Sequence, residues 1–226
     1  MARYVARYVW LSYPLAIDGP RPPAIPAPEL SDLYTVTKDG ASVQILRVAS
    51  HTGTHLDTPC HVIEGGVQIT EFAPEELIFT RPVVVDLHLA DAEIVQPAHL
   101  QPHARPLGAA DIALFRFGYG KVRASDPQRF SSQCPGFGVE SARWLRESYP
   151  QLRAMGMDVP SVATIAHLDE TMRCHNVLLE GAGRRFLIVE EMNLDQDLSA
   201  LCEVRVNPWL VRGMDSGPCT IVGVLE

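Results

Sequence analysis

Residues 51–61 concentrate side chains that bind divalent metals. The segment reads His-Thr-Gly-Thr-His-Leu-Asp-Thr-Pro-Cys-His, so three imidazoles and one carboxylate lie within eleven positions. Imidazole nitrogens and carboxylate oxygens are ligands that zinc and other divalent transition metals prefer. The sequence therefore predicts a metal site, whose first candidate residues are His51, His55, Asp57 and His61.

The spacing of these residues favours an extended segment over a helix. All four are an even number of positions apart, so an extended chain projects them to one side. A helix, at 100° per residue, would turn Asp57 away from His51 and His55. A straight strand would separate His51 from Asp57 by about 20 Å, too far for one shared ion. We therefore expect the segment to curl at Gly53 and Pro59, residues that suit a bend and a strand end.

The histidines of this segment fit a chance surface cluster, a helical zinc protease or a serine hydrolase less well. A lone histidine is most often a surface or hydrogen-bonded residue, but here four metal-binding side chains lie in register around Gly53 and Pro59. The helical zinc-protease motif needs Glu after its first histidine, and Thr52 follows His51. A Ser-His-Asp hydrolase is disfavoured because the sequence has no Gly-x-Ser-x-Gly elbow.

The elements that must position these residues alternate between strands and helices, which indicates an α/β fold. Strands are expected at residues 4–12, 34–38, 41–49, 82–89 and 113–117. Asp39-Gly40 predicts a hairpin turn between the second and third of them, and the third leads directly into His51. Helices are expected at residues 74–77 and 139–148. Residues 118–138 are polar and contain glycine, so we expect a loop there.

Composition limits the classes of protein to consider. The chain has 226 residues, of which 46% are hydrophobic and 20% charged, as in a soluble globular domain. Its formal net charge of −8 argues against nucleic-acid binding, which needs a basic surface. The five cysteines form no CxxC pair and suit reduced thiols in the cytoplasm. We expect no signal peptide in the first ten residues and no membrane-spanning segment, since no apolar run approaches about 18 residues.

A resemblance to a known family rests on two segments. The pattern His-x-Gly-Thr-His-x-Asp-x-Pro-x-His at residues 51–61 resembles the signature of the metal-dependent cyclase and kynurenine formamidase-like hydrolases, which include isatin hydrolase. Residues 156–161, Gly-Met-Asp-Val-Pro-Ser, are similar to that family's Gly-x-Asp-x-Pro-Ser segment. The resemblance implies one domain over residues 1–226, with a swivelling β/β/α fold and a mixed central sheet. It also implies a homodimer or a larger homo-oligomer.

The same resemblance adds two metal ligands in the C-terminal third. His175 begins a segment similar to the family's His-x-x-Leu-Leu helix, and Glu190 ends an apolar strand as the family's glutamate does. The interval between them is longer than expected, which places an insertion at residues 183–185. His167 and Glu191 remain alternatives. The ligand set implied by the resemblance is His51, His55, Asp57, His175 and Glu190, holding one or two divalent ions for which zinc or manganese is expected.

The activity implied by the resemblance is metal-dependent hydrolysis of a carbon–nitrogen bond in an aryl formamide or a cyclic amide. A bound metal lowers the pKa of water to about 7, and we expect His61 to carry a proton between water and the leaving group. The alternative for His61 is a further ligand.

Alternatives for the whole protein are a lactone hydrolase, a ring-closing cyclase of specialised metabolism, and a metal-binding relative without turnover. The substrate is expected to be a small molecule. Residues 18–31 are rich in proline and lack the Trp-Pro-Gly-Asp-like stretch expected of kynurenine formamidases. We expect this segment to form a wall of the substrate pocket, and its sequence disfavours kynurenine derivatives.

Overall fold

A nine-stranded mixed sheet forms the centre of the structure, a computed structural model that describes residues 6–180 and 184–226. Numbered in chain order, its described strands are β1 Arg7–Trp10, β2 Glu29–Tyr34, β3 Val43–Arg47, β4 His55–Asp57, β5 Ile78–Phe79, β6 Pro82–Asp86, β7 Ile94–Val95, β8 Ile112–Arg116, β9 Gly136–Phe137, β10 Ala154–Met157, β11 Leu187–Glu190, β12 Leu201–Pro208 and β13 Ser216–Leu225. The central sheet has the order β5-β12-β13-β4-β11-β10-β8-β6, with β1 paired to β13. Two smaller sheets pair β2 with β3 and β7 with β9.

The central sheet has a parallel part and an antiparallel part, which meet at β4. Strands β6, β8, β10 and β11 pair in parallel. Strand β4 is antiparallel to β11 on one side and to β13 on the other. Strands β12, β5 and β1 extend the antiparallel part. The α/β class and the mixed central sheet expected from the sequence are confirmed.

Short helices accompany these strands. Those of the described chain are α1 Val36–Asp39, α2 Pro97–Leu100, α3 Ala104–Ala109, α4 Tyr119–Ser125, α5 Pro127–Ser132, α6 Val139–Ser148 and α7 Leu168–Glu180. Helices α6 and α7 pack against each other and against the parallel part of the sheet, since Ala142 and Leu178 share a buried cluster with Phe115 of β8. None of the helices in the described ranges combines the length and the apolarity that crossing a membrane requires.

Alternation along β4 and β11 separates an apolar core from a polar cluster. Side chains of successive strand residues point to opposite faces. Leu56 of β4 and Val189 of β11 lie in one apolar core, together with side chains from β12 and β13. Their strand neighbours His55, Asp57 and Glu190 therefore point to the other face, where α7 lies. The sheet thus delivers three polar side chains to one place.

The predicted hairpin exists, but the bounds of its strands were wrong. Strands β2 and β3 are paired, and residues 36–39, predicted as strand, form helix α1 instead. Asp39 Oδ2 accepts a hydrogen bond from the main-chain N of Thr35 at 2.8 Å, and Gly40 has a φ of 77°. These features close a helical turn rather than a two-residue β-turn.

The prediction of a loop at residues 118–138 was also wrong in most of its length. Helices α4 and α5 occupy much of it, and β9 follows. The side chain of Asp126 accepts a hydrogen bond from the main-chain N of Arg129, and Pro127 is the first residue of α5. An Asp N-cap followed by Pro is a helix-start signal that could have been read from the sequence.

Several other predicted elements agree with the structure. The helix at residues 139–148 has the same bounds as α6, and the strand at residues 113–117 is displaced by one residue from β8. The predicted helix at residues 74–77 is a 3-10 helix, Pro74–Leu77. The expected insertion at residues 183–185 begins at Gly183, which lies outside the described residues, as do residues 4 and 5 of the first predicted strand.

Candidate metal centre

The segment at residues 51–61 curls as its spacing predicts. Gly53 has a φ of 64°, in the left-handed region that favours glycine. The chain then runs straight through β4, from His55 to Asp57, and Pro59 starts a turn of 3-10 helix that ends at His61. The bend at Gly53 and the helical turn bring the two ends of the segment together, since the rings of His51 and His61 have centroids 4.2 Å apart.

The pairing of β4 with β11 and the position of α7 complete the cluster. Glu190 is the register partner of His55 in the antiparallel ladder. Its Oε2 lies 3.2 Å from His55 Nε2, and its Oε1 lies 3.5 Å from His175 Nε2. Asp57 Oδ2 lies 3.9 Å from the same His175 nitrogen. The four side chains are buried and come from two strands and one helix.

Asp57 is the residue that the candidate ligands share. Its Oδ1 lies 3.1 Å from His51 Nδ1 and 3.6 Å from His55 Nε2. Two groups of three side chains bring ligand atoms within 4.8 Å of one another, and Asp57 belongs to both. The first group is His51, Asp57 and His61, and the second is His55, Asp57 and Glu190.

The buried polar atoms of this cluster fit a divalent cation. Asp57 is 0% exposed, yet neither of its carboxylate oxygens accepts a hydrogen bond from the described residues, despite the short distance to His51. The Nε2 atom of His55 is likewise buried without a hydrogen-bond partner in the described chain. Buried carboxylates are costly unless they are paired or bind a metal. Imidazole and carboxylate donors around an unsatisfied aspartate suit a divalent transition metal.

Two histidines are oriented so that the same ring nitrogen faces the cluster. The Nδ1 atoms of His55 and His175 donate hydrogen bonds of 2.8 Å to the carbonyl oxygens of Gly53 and Thr171, respectively. A carbonyl oxygen only accepts, so Nδ1 carries the proton and Nε2 carries the lone pair in the neutral ring. This arrangement, in which the other nitrogen is held by the protein, is typical of histidines that ligate metals.

Protons and a cation compete for this cluster. Burial would lower the pKa of His55, but Asp57 and Glu190 outweigh that effect and raise it to about 9. Burial also opposes ionisation of Asp57, yet the neighbouring rings of His51 and His55 hold its pKa well below its ordinary range. A cation that uses these histidines as ligands must therefore displace a proton.

The structure separates the predicted residues from their two alternatives. Glu191 has a φ of 54°, and its buried carboxylate accepts hydrogen bonds of 2.9 and 2.8 Å from Arg123. It therefore forms an ion pair away from Asp57. His167 is exposed in the turn before α7, whereas His175 lies on the buried face of that helix.

The Gly-x-Asp-x-Pro-Ser segment supports the cluster without joining it. Asp158 accepts three main-chain hydrogen bonds, of 2.7, 2.9 and 3.0 Å, from the turn at residues 117–119 that leads into α4. A few residues later, the main-chain N of Val162 donates a 2.6 Å hydrogen bond to Glu190 Oε1. The segment thus fixes one oxygen of a candidate ligand.

Asp215 is a site residue that no motif in the sequence indicated. Its Oδ2 lies 2.9 Å from His51 Nε2 and 3.1 Å from His61 Nδ1. The residue precedes β13, whose Ser216 is the register partner of Asp57. Because more than 150 positions separate Asp215 from these histidines, no local spacing could reveal the contact.

The proline-rich segment borders a different part of the surface. Residues between Asp18 and Ile25 line a cleft of about 400 Å³ against helix α5, and none of the candidate ligands lines that cleft. A larger cavity of about 500 Å³ adjoins Thr52 and Thr54 and is walled by Trp10 and Trp209. The expectation that residues 18–31 form a wall of the substrate pocket stays a prediction.

Comparisons with known proteins agree with this fold. Residues 9–164 match the Cyclase family, described as "Putative cyclase". Cyclase-like protein 1 of Arabidopsis thaliana is 28% identical over 189 residues, which cover 76% of this chain and 69% of that protein.

Two solved structures have the same fold. Isatin hydrolase A from Labrenzia aggregata, bound to benzyl benzoate, superposes with a TM-score of 0.81 at 21% identity, covering 97% of this chain and 94% of the other. A protein described as a potential metal-dependent hydrolase with cyclase activity has a TM-score of 0.74 at 18% identity, covering 98% and 99% of the two chains.

Proposed function

The chain belongs to the cyclase family, and from this premise we propose that it is a metal-dependent hydrolase of a carbon–nitrogen bond in an aryl formamide or a cyclic amide. The observation that carries the proposal is the fully buried Asp57, whose oxygens lack hydrogen-bond donors in the described chain while three imidazoles lie within 4 Å of them. Similarity to an isatin hydrolase supports the same reaction class, because isatin is itself a cyclic amide.

The residues that would hold the metal are the five buried or half-buried side chains around Asp57. They are His51, His55, Asp57, His175 and Glu190. A divalent cation in such a site acts as a Lewis acid and makes nearby water more acidic. Mixed nitrogen and oxygen donors suit zinc or manganese, and the two groups that share Asp57 have room for one or two ions.

His61 is the residue we propose for proton transfer. It is half-buried, and its ring lies beside His51 and 5.4 Å from His175, centroid to centroid. Its Nδ1 faces Asp215, while its Nε2 has no hydrogen-bond partner among the described residues. A free Nε2 can accept a proton from water and return it to the leaving nitrogen. The alternative, that His61 is a ligand, is tested by its effect on metal content.

The experiment is hydrolysis of N-formylkynurenine, isatin and a small lactone by the metal-loaded protein, with the His61→Ala variant measured in parallel. Turnover of an amide that falls about 10²- to 10⁴-fold in the variant, at unchanged metal content, is the expected result. Turnover of the lactone alone would favour the lactone hydrolase instead. A fully metal-loaded protein that turns over none of the three would overturn the amide proposal.

We further propose that the chain assembles with a second copy of itself through the β2–β3 hairpin. This hairpin pairs only with itself, and its large apolar side chains are exposed. They are Leu30, Leu33, Tyr34, Val43, Ile45 and Leu46. An isolated two-stranded hairpin is marginally stable in water, so packing on a partner would stabilise it. A cytoplasmic location is also proposed, with the five free cysteines in support.

A further inference from the structure

Asp215 touches two candidate site residues that have different tasks. One oxygen, Oδ2, lies 2.9 Å from Nε2 of His51 and 3.1 Å from Nδ1 of His61. Building on the function proposed above, we infer that Asp215 is a positioning residue that sets the tautomers of both rings, preparing His51 to bind metal and His61 to accept a proton.

The main chain places this carboxylate independently of its side-chain contacts. The carbonyl oxygen of Asp215 accepts hydrogen bonds from Thr58, at 3.3 Å from its main-chain N and 2.9 Å from its hydroxyl. Thr58 is fully buried, and Ser216 pairs with Asp57 in the ladder. The residue is therefore fixed to the strand that carries the shared ligand, although its side chain is 39% exposed.

The contact with His51 decides which of its nitrogens is available to a cation. A carboxylate accepts hydrogen bonds, so Nε2 of His51 donates its proton to Asp215. The lone pair of the neutral ring is then on Nδ1, the atom that lies 3.1 Å from Asp57 Oδ1. His55 and His175 are oriented by carbonyl oxygens, so Asp215 has for His51 the task that the backbone has for the other two.

The contact with His61 prepares the opposite end of that ring. Its Nδ1 donates to Asp215, which leaves Nε2 with the lone pair. A base oriented by a third group is a recurrent arrangement in hydrolases. When Nε2 takes up a proton, the nearby negative charge also favours the resulting imidazolium. One carboxylate oxygen has two lone pairs and can accept both hydrogen bonds at once.

The experiment compares Asp215→Ala with the wild type, each loaded with zinc. Three readouts are needed: the tautomers of His51 and His61 from long-range proton–nitrogen NMR, the rate of zinc release to excess chelator, and kcat with KM. His51→Ala and His61→Ala assign the NMR signals. Asp197→Asn, at an exposed carboxylate, is the matched control, and Asp215→Asn replaces the alanine variant if that variant does not fold.

The expected result is loss of the Nδ1-protonated form of His61 in Asp215→Ala, together with zinc release that is about 10- to 100-fold faster. We expect kcat to fall at least about tenfold while KM stays within about twofold, since orientation of the base is lost. His61→Ala should lower kcat without accelerating zinc release, which separates the two tasks.

Two results would overturn the inference: a release rate in Asp215→Ala within twofold of wild type, or an unchanged tautomer of His61. If the zinc-loaded wild type turns over no substrate, the proposed hydrolase function fails. The NMR and release measurements still decide the role of Asp215 in that case, because neither requires a substrate.

Discussion

Glu190 lies directly opposite His55 in the antiparallel pairing of β11 with β4, and Glu190 Oε2 is 3.2 Å from His55 Nε2. Two residues 135 positions apart are therefore held in contact by strand register rather than by side-chain contacts alone. A one-residue slip would turn either side chain to the opposite face of the sheet. The cluster consequently depends on the ladder between these strands.

The neighbouring carboxylates Glu190 and Glu191 are predicted to differ in what they support. Glu190→Gln keeps the hydrogen bond from Val162 but removes a charged ligand, so metal affinity should fall at least about tenfold. Glu191→Gln removes the partner of Arg123 and should reduce the free energy of unfolding by about 2 kcal/mol. Equilibrium dialysis and urea denaturation of the metal-free variants measure the two effects. Equal metal affinity in both variants would contradict the assignment of Glu190 as a ligand.

Metal affinity is predicted to rise with pH. The pKa of His55 is raised to about 9 in the metal-free protein, so below that pH a cation must displace its proton. Between pH 6.5 and 9 the logarithm of the association constant should rise by about one per pH unit for each proton displaced. Calorimetric titration in buffers of different ionisation enthalpy counts the protons released. Binding without any proton release would show that His55 is not a ligand.

The stability of the metal-free protein should have the opposite dependence on pH. Because the folded-state pKa of His55 is raised above its ordinary 6.5, its protonation stabilises the fold fully below about pH 6.5. That contribution is lost as the pH rises towards 9. Urea midpoints of the metal-free protein from pH 6 to pH 9 measure it, with His55→Ala as the reference. A wild-type profile parallel to that of the variant would refute the prediction.

Gly53→Ala is predicted to impair metal binding, while Gly40→Ala is not. Both glycines have positive φ, 64° and 77°, so each substitution should cost about 1–2 kcal/mol of stability. Only Gly53 offers its carbonyl to His55 Nδ1, and a Cβ there would lie 3.3 Å from the Leu15 side chain. Gly40 lies in the exposed hairpin with no atom near such a Cβ. Zinc release to a chelator compares the two variants, and similar rates would argue that the Gly53 turn does not position His55.

Assembly through the hairpin is predicted to be sensitive to charge on its apolar side chains. Leu30 and Leu46 are register partners, and both are exposed. Replacing both with Asp should shift the molar mass in light scattering from a dimer or larger assembly to the monomer of 24.9 kDa. Leu168→Asp, at an equally exposed apolar residue of α7, is the control and should leave the mass unchanged. A wild-type monomer, or a double variant that still assembles, would exclude the hairpin as the interface.

The extent to which the sequence predicts this site follows from distance along the chain. The bend at Gly53 and the common side of His55 and Asp57 follow from periodicity and from the conformational range of glycine, which are local properties. Placement of His175 and Glu190 required a resemblance, since strand pairing and helix packing bring them in. Asp215 was missed because its contact with His51 depends on the pairing of β13 with β4, for which no local signal exists.

The fold was predictable to a similar degree. Element type followed from pattern where an amphipathic helix or an apolar strand was long, as in α6 and β8. The short helices α4 and α5 were missed because their apolar positions are few, and only the cap at Asp126 marks the second of them. Strand order across β4 could not be derived, because it depends on non-local pairing.

Strand β4 has only three residues, yet the parallel and antiparallel parts of the sheet are both paired to it, and two of its residues are candidate metal ligands. A ligand that binds only the folded chain stabilises it in proportion to the logarithm of its concentration. A cell short of the cation would then hold less of this protein as well as a less active one, because chains that open at β4 are available to proteases. Metal supply would thereby set the lifetime of the polypeptide.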